Sequence, residues 1–246
     1  MNKELQNTVI LFDIDGTLVY RTGTHDSAGK RAMDAAAFDL TGISGQADKI
    51  NFAGATDLDV ARQLLEMGGV ETPGSSQKQR FLELYADYLS QYIKKDSYTA
   101  RGETFLVIKK LSSMGAVIGI ATGNIKKGAV AKLESAGIGD LFNYDLGGYG
   151  EDGDVRSYIV KAAIDRTSVN LSKKVTNTVV VGDTPYDVEA AHSCGAKCIG
   201  IPFGKNTDSV LIDCGADLVV NEINDKLIEA ILKLSNITAN SRGINA

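Results

Sequence analysis

Tryptophan is absent from the sequence and histidine occurs only twice, so acid–base chemistry near neutral pH has to rest mainly on carboxylates. Three cysteines, Cys194, Cys198 and Cys214, are too few and of the wrong parity for a disulfide scaffold, which fits a reducing compartment such as the cytoplasm. His192, Cys194 and Cys198 lack a second ligand pair at zinc-site spacing. The two cysteines fall instead in a helix-end, Gly195 and strand pattern, where Cys serves as a small buried hydrophobe. Long apolar runs are missing too. The opening MNKELQNTVILFDIDG reads as neither a signal peptide nor a membrane span, because acidic residues interrupt its one short apolar stretch. There is no basic excess either. A net charge of -5 offers nothing to hold a polyanion, which argues against nucleic acid and anionic membrane as partners. A small anionic substrate stays compatible, since a few local cations or one metal ion can hold it.

What is present is an ordinary globular composition, 43% hydrophobic and 23% charged, on 246 residues, enough for an α/β core with a smaller insert. Short apolar strands alternate with amphipathic helices, the pattern of βα units around a mainly parallel, doubly wound sheet. The strands are expected at Thr8–Phe12, Ala116–Ala121, Tyr144–Gly147, Thr178–Val181, Lys197–Ile201 and Asp217–Val220. Helices are expected at Glu103–Met114, Lys126–Ala136, Ser157–Ser168, Asp187–Cys194 and Asp225–Leu234, with Gly115, Gly137 and Gly195 as left-handed caps and a frayed polar tail from Asn236. Residues 21–100 break the rhythm: the periodicity gives helices near Ser27–Leu40, Thr56–Met67 and Gln77–Ile93 and no good strand. This stretch reads as a helical insert with a core of its own, hinged at Tyr20–Thr24 and Ser97–Gly102, on a core made of residues 1–20 and 101–246. Tyr85, Tyr88 and Tyr92 have helical spacing and read as core.

Three strands end in polar groups suited to one task, and ligands of open parallel sheets bind beyond the carboxyl ends of strands. VILF runs into Asp13-Ile14-Asp15-Gly16-Thr17, where two carboxylates share a side of extended chain and Gly16 permits a sharp turn. VIGIA runs into Thr122-Gly123-Asn124, a hydroxyl and free N–H groups just before a helix. VVV runs into Gly182-Asp183-Thr184-Pro185-Tyr186-Asp187. Four carboxylates brought together must bind protons or a cation, because each like-charge pair at ~4 Å costs about 4 kcal/mol at an effective dielectric near 20. An all-oxygen site with room for water suits Mg²⁺. Taken singly, Asp187 equally suits a cap on the helix that follows it, and Thr122 a capping hydroxyl; one cap does not need two carboxylates, so Asp13 and Asp15 ask for more.

DIDGTL at Asp13–Leu18, TGN at Thr122–Asn124 and GDTPYD at Gly182–Asp187 resemble, in order and spacing, motifs I, II and IV of the haloacid dehalogenase (HAD) superfamily of phosphohydrolases. The insert resembles the C1-type cap of its phosphoglycolate phosphatase and β-phosphoglucomutase-like group, in which Phe52–Asp57 (FAGATD) looks like a recurrent cap segment. The resemblance implies a Rossmann-like core with an α-helical cap. It implies Asp13 as a nucleophile that forms an aspartyl-phosphate, and Asp15 as general acid and base with its pKa raised by Asp13 and by burial. Mg²⁺ would be held by Asp13, the Asp15 backbone carbonyl, Asp183 and Asp187. Thr122 and the Gly123 N–H would bind phosphate oxygens, with Thr17 and Asn124 among the substrate-binding candidates.

The family's motif III lysine has no Lys-Pro counterpart in GGYGEDGDVRSYIVKAAIDR. Arg156 is the substitute, since a guanidinium pairs bidentately with phosphate or carboxylate, and Lys161 is the fallback. Arg21 and His25, where the insert begins, read as hinge or surface residues, and His192 as packed or solvated on its helix. The expected activity is hydrolysis of a small phosphorylated metabolite by a monomer or small homo-oligomer. A β-phosphoglucomutase-type mutase is the main alternative; a 2-haloacid dehalogenase or a non-catalytic phospho-ligand binder fits less well.

Overall fold

A computed structural model gives the fold, and it describes residues 4–23, 26–171 and 175–241. Thr24 and His25 lie outside the described residues. Five parallel strands form the main sheet: β1 (Thr8–Phe12), β4 (Val117–Ile120), β5 (Asn177–Gly182), β6 (Lys197–Gly200) and β7 (Leu218–Val219), in the order β4-β1-β5-β6-β7. β1 is buried along its whole length, as a continuous β-branched and aromatic run should be when helices cover both faces of a sheet. The chain crosses from β1 to β4 on one side and reaches β5 on the other, so the carboxyl end of β1 is a topological switch point. Phe12 pairs with Ile120 and Val181 in register. The next residue on each chain, Asp13, Ala121 and Gly182, therefore stands at the same level at or just beyond the strand ends.

Helices α4 (Thr104–Ser113), α5 (Lys126–Ser135), α6 (Arg156–Leu171), α7 (Pro185–Ser193), α8 (Asp208–Asp213) and α9 (Asp225–Ser241) flank this sheet. Gly115, Gly137 and Gly195 take positive φ of 93°, 71° and 68°, as expected of left-handed caps. The backbone of α9 is helical to Ser241, into the polar tail expected to fray from Asn236; the rest of that tail lies outside the described residues.

Between β1 and α4 the chain forms α1 (Ala28–Thr41), α2 (Asp57–Met67) and α3 (Ser75–Tyr92), which pack on one another. Ser27 caps α1 by accepting from Lys30 N–H, and Thr56 caps α2 by accepting from Asp59 N–H. The two expected hinges are strands: β2 (Val19–Thr22) and β3 (Ser97–Ala100) pair antiparallel, Val19 with Ala100 and Thr22 with Ser97, in a ribbon that carries the helices. Each is four residues long and β2 is buried only at Val19, so neither has an apolar run to announce it. The insert's apolar side chains, Met33, Leu64, Phe81 and Leu89 among them, are continuous with those of the sheet through Phe12, Ile14, Leu18 and Ala129, so the insert does not close a separate core.

One expected strand is absent: Tyr144–Leu146 is a single 3₁₀ turn. Asn143 Oδ1 accepts from Asp145 N–H at 3.1 Å, a local turn that competes with pairing, and Gly147-Gly148 offers no side chain to pack. Only Gly148 bridges to Ala121 where a further strand would lie. No helix of the described residues is long and apolar enough to cross a membrane.

Phe12 is fully buried in the strand on which β4 and β5 both pair. Phe12→Ala is expected to cost about 3–5 kcal/mol of stability, read from the urea unfolding midpoint; a loss below about 1 kcal/mol would contradict this packing.

Candidate active site

Asp13 continues β1 by donating its N–H to Val181 O at 2.9 Å, which fixes the residue at the strand end. The turn after Asp15 depends on Gly16, whose φ is +82° and where a Cβ would lie 2.5 Å from Asp183 Oδ2. Arg101 closes the turn by donating to Gly16 O and, at 3.1 Å, to Pro202 O. Asp183 sits at the end of β5. Thr184, Pro185 and Asp187 begin α7 as a capping box: Asp187 Oδ2 accepts from Thr184 N–H at 3.0 Å and from the Thr184 hydroxyl at 2.7 Å.

Asp13, Asp183 and Asp187 are buried, and each offers a carboxylate oxygen within 4.8 Å of the others. Arg156, at the start of α6, is buried among them. Its Nη2 lies 2.8 Å from Asp13 Oδ1 and 2.5 Å from Asp187 Oδ1, and its Nε donates to the same Asp187 oxygen at 3.1 Å. Asp187 is thus at once a helix cap, the anchor of the guanidinium and a member of the acidic cluster. Burial lifts the Asp183 carboxyl to about 8, with Asp13 and Asp187 adding to the rise. Burial also lifts Asp13 to about 6, though Arg156 opposes it. Burial disfavours the Arg156 charge, but Asp187 and Asp13 outweigh it and hold the guanidinium charged.

Three carboxylates against one guanidinium leave two negative charges, the complement of one divalent cation. Without a cation, the raised Asp183 carboxyl favours a proton in its place at neutral pH. The oxygen-only donor set suits Mg²⁺. Since both Asp187 oxygens already accept hydrogen bonds, Asp13 and Asp183 are the carboxylates better placed to ligate.

A cavity of about 410 Å³ opens over this cluster, lined among others by Asp13, Asp15, Thr122, Gly123, Asn124 and Arg156. The insert forms its far wall through Phe52–Ala55, Asp57 and Tyr85, and Arg21 lines it from the ribbon. Gly123 lets the insert come close, because a Cβ there would collide with Ala55 O and lie 2.8 Å from Arg156 Nη1. Two further bonds join the insert to this loop: Asp57 N–H donates to Gly123 O at 2.7 Å, and Asp57 Oδ2 accepts from Ile125 N–H at 2.7 Å. Burial raises the Asp57 carboxyl to about 7 even though the Ile125 N–H, Lys132 and the Tyr85 hydroxyl all favour its charged form.

Three sequence expectations are corrected. Thr17 does not face the cavity: it is fully buried, and its hydroxyl donates to Asp183 Oδ1 at 3.3 Å, so it orients a carboxylate. Lys161 lies well round α6 from Arg156, with its side chain 67% exposed and its ammonium 2.9 Å from Asp165. The carboxyl of Asp15 is not raised. Burial would lift it, but the Lys132 ammonium, hydrogen bonds from Lys132 and Asn124, and Arg156 more than offset that and hold it below its ordinary value. Lys132 itself was not foreseen. It lies on the stripe of α5 that carries Gly128, Ala129 and Leu133, and a lysine amid small and apolar residues about two turns after TGN was the available signal. Tyr85 is core, as its spacing implies, but it also lines the cavity. Tyr88 and Tyr92 stack at 5.9 Å on the flank, where the Tyr88 hydroxyl donates to Asp39 at 2.7 Å. His192 is paired with Asp217 at 3.0 Å, and among the described residues the acidic triad is the one cluster suited to a metal.

Comparisons with known proteins bear on the fold and the family. The chain is 26% identical over 222 residues to a phosphoglycolate phosphatase of Pectobacterium atrosepticum, covering 89% of this chain and 90% of the relative. Two solved structures share the fold. A HAD hydrolase of family IA, variant 3, from Entamoeba histolytica matches with a TM-score of 0.65 at 18% identity, covering 93% of this chain and 99% of that one. A predicted phosphatase from Clostridium acetobutylicum matches with a TM-score of 0.63 at 21% identity, covering 94% and 100%. The model of the haloacid dehalogenase-like hydrolases matches residues 8–195, from the start of β1 to the end of α7, and the chain belongs to that family.

Proposed function

We propose that the chain hydrolyses small phosphomonoesters with Mg²⁺, through an aspartyl-phosphate on Asp13. The observation that carries this reading is the buried cluster of Asp13, Asp183 and Asp187 around Arg156, two charges short of neutrality and open to a cavity of about 410 Å³. The named relative acts on phosphoglycolate, so 2-phosphoglycolate heads the substrates to test.

Asp13 and Asp183 with the Asp15 backbone carbonyl would hold Mg²⁺, while Asp187 acts through Arg156 or a water molecule. When bound, the ion supplies positive charge beside the phosphoryl oxygens. Arg156 stands where the motif III lysine is expected. It holds Asp13 Oδ1 in place and offers the remaining guanidinium donors to phosphate. Thr122 and the Gly123 N–H line the same wall and accommodate the other phosphoryl oxygens. In the first half of the reaction, a bond forms between an Asp13 oxygen and phosphorus, the ester P–O bond breaks, and Asp15 gives a proton to the leaving oxygen. In the second half, water attacks phosphorus, Asp15 takes its proton, and Asp13 and phosphate are released. The charged resting state of Asp15 suits the second half. In the first, the negative charge of the incoming phosphate acts against Lys132 and favours the protonated carboxyl.

The helices of the insert act as the cap. Asp57 ties them to the loop that carries Thr122, which excludes water from the reacting groups.

Three outcomes are expected. Asp13→Asn removes phosphate release from p-nitrophenyl phosphate and 2-phosphoglycolate with unchanged thermal unfolding; near-normal turnover would refute the nucleophile. Chelation with EDTA stops phosphate release and added Mg²⁺ restores it, whereas persistence after chelation would refute the metal's part. The third concerns pH. Asp57 is raised from 3.8 to about 7 in the folded chain. The folded protein keeps that proton through a window in which the unfolded chain has lost it, so the group's contribution to stability is lost as pH rises across the window. Asp57→Asn, which keeps the shape and the acceptor, is expected to flatten the fall of unfolding free energy between about pH 4 and 7 relative to the unsubstituted chain. Superimposable curves would contradict the assignment.

A further inference from the structure

Lys132 lines the site as a largely buried cation to which the reaction above gives no step of its own. Its side chain is 12% exposed, whereas that of its partner Asp15 is 48% exposed. The ammonium lies 2.6 Å from Asp15 Oδ2 and 2.6 Å from Asn124 Oδ1, and 5.7 Å from the centre of the Tyr98 ring. An ammonium only donates, so the Asn124 amide must turn its oxygen towards Lys132. Its Nδ2 is then free to donate to Asp15 Oδ2 at 2.8 Å and to the Thr122 hydroxyl at 2.7 Å. Both bonds to the Asp15 side chain fall on Oδ2, and no described residue bonds to Oδ1. Burying an ammonium is costly unless it is fully paired, and a lysine kept at this position to fill space would be replaced at less cost by an apolar side chain.

We propose that Lys132 is a positioning residue for proton transfer to the leaving group: with Asn124 it ties Oδ2 of Asp15 and presents Oδ1 to the ester oxygen. This rests on the hydrolysis proposed above. In that step the Asp13–phosphorus bond forms, the ester P–O bond breaks with its electron pair going to the leaving oxygen, and the proton on Asp15 Oδ1 passes to that oxygen. Lys132 keeps its own protons throughout. The consequence is selective. A leaving group that departs readily as an anion needs little proton transfer, and an alkoxide needs it fully.

The experiment compares kcat/KM, which reports the steps up to departure of the leaving group, for p-nitrophenyl phosphate and glycerol 2-phosphate with Mg²⁺ in the unsubstituted chain, Lys132→Met and Lys132→Arg. Lys132→Met is expected to lose about 100-fold on the alkyl ester and no more than about threefold on the aryl ester. Lys132→Arg, which keeps a cation able to reach Oδ2, recovers most of the difference. Equal losses on both esters, no loss on either, or a rise in KM alone would overturn the proposal, since a purely structural or substrate-binding lysine does not distinguish leaving groups. Thermal unfolding shows whether Lys132→Met folds; if it does not, Asn124→Ala removes the other tie to Oδ2 and is read against the same criterion. Asp13→Asn separates the two readings. Phosphate release that depends on Asp13 but shows no leaving-group selectivity in the Lys132 variants removes only the role of Lys132, whereas no hydrolysis of either ester removes both.

Discussion

A buried guanidinium set among carboxylates is the constraint on which the site depends. Arg156 bonds to Asp13 and Asp187 together, and through Asp187 it is joined to the first turn of α7. The end of β1 and the starts of α6 and α7 are thereby locked together. A cluster of three buried acids would not survive alone, because each like-charge pair costs several kcal/mol at short range. One cation brings the cluster to two negative charges and no further. The remaining charge is what makes the site fit a divalent ion, and burial beside Asp13 and Asp187 raises the Asp183 carboxyl to about 8 when no ion is there.

A second, nearly neutral unit stands beside the first. Lys132 and Asp15 pair across the mouth of the cavity, with Asn124 between them and Thr122. The site therefore divides into an acidic half that has charge to spare for a cation and a balanced half that can hold or move a proton. The insert touches the loop joining the two halves through Asp57 and Ala55. Its apolar core runs unbroken into that of the sheet, so the insert's position and the site's geometry depend on the same packing.

The sheet was legible where strands are buried on both faces. β1, β4, β5 and β6 are centred on buried apolar residues, and the polar ends of the first three announced the loops that line the cavity. Tyr144–Leu146 has similar composition but turns, because Asn143 supplies a local acceptor and two glycines follow. β2 and β3 were hidden by their shortness and exposure, and they read as hinges although they pair. Residues next to strand ends, expected to share one place, do lie together: Asp13, Asp183 and Asp187 cluster, and Asp15, Thr122, Gly123 and Asn124 line the cavity over them. Arg156 joins them, since its helix start is adjacent to the same edge. Thr17 shares the motif but turns inwards to Asp183, and Lys161 lies on the wrong side of its helix. Lys132 and the capping contacts of Asp57 went unseen because both depend on packing between segments distant in the chain, which local spacing does not encode.

The most direct test of the account is calorimetric titration of Mg²⁺ into the metal-free protein at pH 7, repeated in buffers of different ionisation enthalpy. The account predicts one ion per chain, proton release on binding because Asp183 is held at about 8 without the ion, and loss of both in Asp183→Ala. Absence of saturable binding, or binding that Asp183→Ala leaves intact, would contradict it.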